Sequence, residues 1–157
     1  MDYFKDLQLA DQKFKENKKL LPKLKKMKGK SLDLLFEGKH EKVFSEIDCL
    51  KCANCCKTTS PIVLNSDIDR ISKALGIKPS LFIEKYLLID EDGDFVFNKQ
   101  PCPFLGDDNY CSIYFDRPTA CRDYPHTNRK NMSAILNLTL KNTKVCPAVA
   151  RIFEEIK

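Results

Sequence analysis

The chain has 157 residues, 43% of them hydrophobic and 31% charged, with a formal net charge of +5. These are the proportions of a globular protein with enough apolar residues for a core of its own. No run of 18 apolar residues exists, which excludes a membrane-spanning helix, and the N-terminal MDYFKDLQLADQKFKENKK lacks the apolar stretch of a secretory signal, so a cytoplasmic setting is expected.

The charge is uneven. Residues 1–30 hold ten lysines against four acids, a net of +6 in a chain whose total is +5. The basicity therefore belongs to this segment, and a nucleic acid, an anionic membrane surface or a protein partner could use it; a solvated lysine face is the plainer reading. The same segment has a helical stripe, Tyr3, Leu7, Ala10, Phe14, Leu21 and Leu24, with Asn17 as its polar member. It predicts one helix over 3–27, kinked near its end at Pro22. Gly29 marks a break, and Ser31 is the expected cap of a second helix carrying Leu32, Leu35, Phe36, Val43 and Ile47. Two such neighbours predict a helical hairpin, a basic extension over 1–47 that delivers the chain to a cysteine-rich domain over 48–157.

Beyond the first cysteines, SPIVL reads as a short extended piece. A helix capped near Ser66 follows and stops at Gly76, then PSLFIEKYLL gives another short helix. LLIDEDGDFVFN has apolar segments on both sides of an Asp-Gly turn and predicts a β-hairpin; the spacing of a calcium-binding loop and its closing glutamate are missing. Residues 101–126 are loop-rich, with Pro118 expected at the first position of a short helix. Closing helices are expected over about 130–141 and 146–156. The fold class implied is α+β, predominantly α-helical, with a small hairpin.

CLKCANCC, residues 49–56, puts four thiols into eight residues, and Cys102, Cys111, Cys121 and Cys146 follow. Disulfides do not suit a reducing compartment or a chain of this length. A redox-active C-x-x-C pair needs a βαβ setting, which is not readable here. Metal ligation remains. Two residues between ligands let a tight turn aim both sulfurs at one centre while backbone N–H groups offset the thiolate charge. The run Cys49-x-x-Cys52-x-x-Cys55, with Pro103 after Cys102 and Pro147 after Cys146, resembles the opening of a ferredoxin motif and tilts the expectation toward an iron–sulfur cluster, with zinc next. Side chains of adjacent residues diverge, so Cys56 is expected to serve a second centre, to bridge metals, or to lie beside the first. His40 and His126 are weaker ligand candidates. Arg117 and Arg122 flank Cys121 and are the candidate cofactor-binding residues, able to offset thiolate charge or hold a carboxylate or phosphate; pairing with Asp116 or Asp123 is the structural alternative.

Taken together, CLKCANCC, PCPFL at 101–105, CSIYFDRPTACRDYP at 111–125 and CP at 146–147 resemble the CxxCxxCC cysteine-cluster family, described as zinc- or iron-chelating. The resemblance covers about residues 49 to 150. It implies a metal-binding domain with Cys49, Cys52, Cys55, Cys56, Cys102, Cys111 and Cys121 at the metal site, and Cys146 as a more loosely placed member. Arg117, Pro118, Arg122 and Pro125 match the family's other motif positions. A flagellin lysine N-methylase is similar to the same domain, which implies protein methylation, yet no glycine-rich loop or acidic ribose-binding residue points to S-adenosylmethionine here.

Three functions follow as expectations. The first is a metal-binding protein whose centre is structural or serves metal handling. The second is a small iron–sulfur enzyme in redox chemistry or protein modification, with Arg117, Arg122, Asp123 and Tyr124 lining its pocket. The third is an adaptor that binds nucleic acid or a partner through residues 1–30.

Overall fold

The computed structural model describes residues 2–157. In chain order its elements are α1 (Tyr3–Gln12), α2 (Phe14–Lys25), α3 (Gly29–Phe44), α4 (Cys49–Cys52), α5 (Asn54–Thr58), α6 (Asn65–Leu75), α7 (Pro79–Tyr86), β1 (Leu87–Ile89), β2 (Phe95–Phe97), α8 (Thr119–Asp123), α9 (Leu136–Asn142) and α10 (Pro147–Ile156). The fold is predominantly helical α+β. Among the described residues no helix is long and apolar enough to cross a membrane. The chain forms two compact units, one of residues up to Cys49 with Pro125–Lys157, the other Leu50–Tyr124.

In the helical unit the apolar stripes of the N-terminal helices find partners at the other end of the chain. Helix α10 packs on α1, α3 and α9, and α2 packs on α9. Phe36 and Phe153 meet edge to face with ring centroids 6.5 Å apart, both fully buried. Ion pairs join the same helices: Arg151 to Asp6 at 2.8 Å, Lys13 to Glu154 at 2.9 Å and Lys144 to Asp11 at 2.9 Å. Asn17, the polar member of the stripe, is fully buried with it.

Three local expectations are corrected here. The helix expected over 3–27 is two helices, broken at Lys13. The hydrogen-bond ladder runs on through the break, from Lys13 N–H to Leu9 O at 2.9 Å and from Asn17 N–H to Lys13 O at 2.8 Å, so the chain bends locally without turning back. Ser31 does not cap α3, which begins at Gly29 behind an extended Lys28. Before α9, residues Met132–Ile135 form a 3-10 turn. Asp33 holds that turn to α3, accepting from Asn131 N–H at 2.9 Å and Met132 N–H at 2.8 Å.

The second unit is built on the hairpin. β1 and β2 pair antiparallel with Leu87 opposite Phe97, and Ile62 bridges to Val96 as a partial third strand. In the turn, Gly93 takes φ +83, a conformation that glycine adopts without strain, and Asp90 accepts from the Asp92 and Asp94 N–H groups. Those acids build a turn. Gly76 stops α6 in the left-handed region, φ +69, with Ile77 N–H returning to Ser72 O at 3.0 Å. The start of α6 is capped by Asp67, whose carboxylate accepts from Leu64 N–H at 2.9 Å; the expected cap, Ser66, lies inside the helix. The core gathers Val63, Ile71, Phe82, Phe97, Phe104 and Ile113, with Cys102 and Cys111 packed on its margin.

Candidate metal centre

The CLKCANCC stretch is two single helical turns. The first is α4, the second is α5, and Ala53 joins them in the left-handed region at φ +48. The hinge separates Cys52 from Cys55 and Cys56. Six of the eight cysteines, from Cys52 to Cys121, belong to the second unit, while Cys49 and Cys146 belong to the helical unit. None of the eight is in a disulfide.

The loop from Cys102 to Cys111 is closed on itself. Leu105 bridges to Cys111, Ser112 N–H donates to Phe104 O at 2.8 Å, and Gly106 N–H donates to Tyr110 O at 2.9 Å. A Cβ on Gly106 would stand 2.7 Å from the Asp108 carboxylate and 3.3 Å from Tyr110 O, so the turn is closed around the missing side chain. Cys102 N–H donates to Cys56 O at 2.8 Å, and the Asn109 side-chain amide donates to Lys51 O at 3.3 Å. These two bonds tie the loop to the first cysteine turns.

The loop is also anchored inward. Phe104 packs among Tyr86, Phe97 and Phe82, with centroids 4.8, 5.5 and 6.4 Å away, and Ile113 is buried in the same core. The backbone N–H groups of Phe104 and Leu105 point at the Cys102 sulfur, that of Ile113 at Cys111, and that of Asn54 at Cys52. Each of these three sulfurs thus receives an N–H from two residues on. In two cases the residue that donates also buries its side chain.

Cys121 is placed by a different device. Arg70 and Thr119 meet on the fully buried carboxylate of Asp67: Arg70 Nη2 donates to its Oδ1 at 2.8 Å, Thr119 Oγ1 at 2.8 Å and Thr119 N–H at 3.1 Å. Arg70 also donates to Arg117 O at 2.8 Å. Helix α8, with Cys121 on it, is thereby pinned to α6. Pro118 sits just before α8 and not at its first position, accepting from Cys121 N–H at 2.9 Å.

The electrostatics show which thiols are neighbours. A hydrogen bond from the Cys55 thiol, helped by the Lys57 charge, brings Cys56 down to about 7 against the opposing effect of burial. Burial pushes Cys102 up to about 11, and Cys56 and Cys111 add to it. Burial likewise pushes Cys121 up to about 12, with Cys56, Cys102 and Cys111 adding and Arg117 opposing. Cys111 is raised by burial and by Cys56. Cys52 is raised by burial first and by Cys56 last. The four thiols 56, 102, 111 and 121 therefore all feel one another's charge, and Cys56 acts on each of the other three.

Arg117 is the cation beside Cys111 and Cys121. Its guanidinium lies 4.1 Å over the Tyr114 ring, donates to Tyr114 O at 2.6 Å, and lowers both Cys111 and Cys121. Arg122 is exposed on α8. Neither histidine lies in the second unit. His40 shares a 2.8 Å hydrogen bond with Thr127 Oγ1 and stacks on Phe44, and burial lowers its pKa.

A thiophilic metal fits this donor set in its chemistry: four mutually coupled sulfurs, backbone N–H groups aimed at thiolates, and an arginine beside them. The sulfurs are gathered without being closed around a point. Among the described residues no three or more His, Cys, Asp or Glu side chains form a group able to hold a metal ion as they are placed.

The profile of one protein family matches residues 48–147, well over half of the chain, and is described as "CxxCxxCC: Putative zinc- or iron-chelating domain". The chain belongs to the CxxCxxCC family. No curated protein and no solved structure matches it. The matched span holds all eight cysteines, Asp67, Arg70 and Arg117, and begins after α3. The Asp67–Arg70 clamp had escaped sequence reasoning; its only local trace is an acid three residues before an arginine in NSDIDR.

Proposed function

We propose that this protein binds a metal through Cys56, Cys102, Cys111 and Cys121. The observation that carries the reading is the mutual coupling of these four sulfurs, with backbone N–H groups aimed at Cys102 and Cys111. Metal binding draws the four together by replacing thiol protons with a shared cation. Iron in an iron–sulfur cluster is our first reading, on the Cys49-x-x-Cys52-x-x-Cys55 run and the prolines after Cys102 and Cys146. Zinc takes the same four ligands with no further group. When bound, the metal supplies structural cross-linking for zinc, or an electron-transfer centre for iron.

Anaerobic purification followed by elemental analysis and absorption spectra tests this. A brown protein with broad absorption near 400 nm and matching iron and sulfide supports the cluster; a colourless protein holding zinc supports the alternative. Cys102→Ser and Cys121→Ser are expected to lose most of the metal. Full metal content in both variants would overturn the assignment.

A further inference from the structure

A strongly basic row lies in the helical unit. Lys15, Lys18, Lys19, Lys23, Lys25 and Lys26 are all exposed, on the flanks and far side of α2 from buried Asn17, Leu21 and Leu24. Lys28 and Lys30 continue the row through the next turn, both exposed. Among the described residues, none of these eight lysines approaches a carboxylate. The contrast with their neighbours is sharp. Lys13 and Lys144 pair with Glu154 and Asp11, and Glu16, the one acid of the row, pairs with Lys157. Glu16 is thus the one acid in a row that is otherwise cationic.

The structure extends this face beyond the segment visible in the sequence. Asp33 clamps the backbone of Asn131 and Met132 to α3, which brings exposed Arg129 and Lys130 to the helix that Lys28 and Lys30 begin. Lys28 and Lys30 stand at the N-terminal end of a 16-residue helix with no acid in its first turn. Cations there oppose the helix dipole, so the arrangement costs stability in the free chain and an anion relieves it.

We propose that this face binds the phosphodiester backbone of duplex nucleic acid, without regard to sequence or sugar. Lys15 to Lys26 spans about 16 Å of helix at about 1.5 Å per residue. A duplex presents one phosphate charge for about every 1.7 Å of its axis, so several lysines meet phosphates at once. The exposed residues of the row include no aromatic ring for stacking on unpaired bases, which single strands exploit. Between Lys15 and Lys30 they include no Ser, Thr, Asn or Gln to read base edges or a 2′-hydroxyl. A membrane-surface helix inserts an apolar face, and the apolar face of α2 is occupied by the unit's own core.

Fluorescence anisotropy with a labelled mixed-sequence duplex of about 25 base pairs, made as DNA and as RNA, tests the proposal on the full chain. Binding is expected to both within a few-fold, with log K falling linearly in log [KCl] at a slope near −5, as about five or six phosphate contacts require. Replacing four lysines, Lys15→Gln, Lys19→Gln, Lys23→Gln and Lys26→Gln, should weaken binding about 100-fold or more at 0.1 M salt and flatten the slope by about 3 to 4. Unchanged circular dichroism and melting would show that the variant folds. The matched control, Lys73→Gln, Lys78→Gln, Lys85→Gln and Lys99→Gln, carries the same net charge and should bind as the parent does. Equal loss in both variants, tighter binding to single strands, or stronger binding to phosphatidylserine vesicles than to duplex would each overturn it.

Discussion

Replacing Asp67 by alanine removes the acceptor on which two parts of the cysteine unit converge. The carboxylate is wholly buried and accepts four hydrogen bonds, from Leu64 N–H, Arg70 and both donors of Thr119. Breaking a buried ion pair from one side costs about 3–5 kcal/mol. Arg70 is 32% exposed and keeps the Arg117 carbonyl as an acceptor, so the cost is set at the low end, about 3 kcal/mol. That is a large part of the roughly 5–15 kcal/mol that holds a domain folded. Asp67→Asn keeps the shape and loses the charge, for about 1.5 kcal/mol. Burial alone would raise the pKa of Asp67, yet the four hydrogen bonds together hold it below the ordinary carboxylate range. The sign follows directly. With the folded value below the unfolded one, the contribution is fully present above about pH 4 and fades as pH falls through the folded value. Urea unfolding of the parent and Asp67→Ala, followed by circular dichroism at pH 7 and at pH 3, measures both effects. A difference under about 0.5 kcal/mol at pH 7, or one that is the same at pH 3, would refute the clamp.

Phe104→Ala should destabilise the chain by about 3–5 kcal/mol in the same urea assay, because its ring is 6% exposed and packed among three aromatic neighbours. A cost below about 1 kcal/mol would mean the Cys102 loop is not anchored there. In the reduced, metal-free chain, iodoacetamide should label Cys56 first, with a pH–rate midpoint near 7, while Cys102 and Cys121 label only in strong alkali. Peptide mapping that finds the three equally labelled at pH 7 would contradict this order. At pH 7 zinc binding to the reduced chain should release about three to four protons per ion, since Cys56, at about 7, is only about half ionised and the other three thiols are all raised. Calorimetry in buffers of different ionisation enthalpy reads that number, and release of none would sink the ligand set.

What was legible in the sequence was local. The hairpin could be read because Asp90 and Gly93 carry its turn in their own chemistry, and the end of α6 because Gly76 accepts a positive φ. The stripe of the N-terminal helices showed that a face must be covered, but nothing in it named α9 and α10, some 120 residues away, as the cover. Ser31 and Ser66 are good caps by type; Asp67 displaced the second because a carboxylate one position later also satisfies Arg70 and Thr119. The cysteine spacing announced a metal ligand set, whereas the central place of Cys56 depends on Cys102 N–H meeting its carbonyl, a contact between residues 46 positions apart. Long-range polar contacts of this kind leave no periodicity to read.

The unit assembles its sulfurs by two separable means. At Cys102 and Cys111, the residue two positions on buries an apolar side chain and turns its N–H toward the thiol, so closing the core and placing the ligand are one event. Two residues after Cys121 stands Asp123, which is exposed, and there the polar clamp through Thr119 replaces the apolar anchor. Neither device can bring four thiolates together, because burial and mutual repulsion favour the protonated form of three of them. The core therefore supplies proximity and a cation must supply the ionisation. Loss of metal should then leave the aromatic core folded and open only the thiol cluster, whereas loss of Phe104 should disturb both.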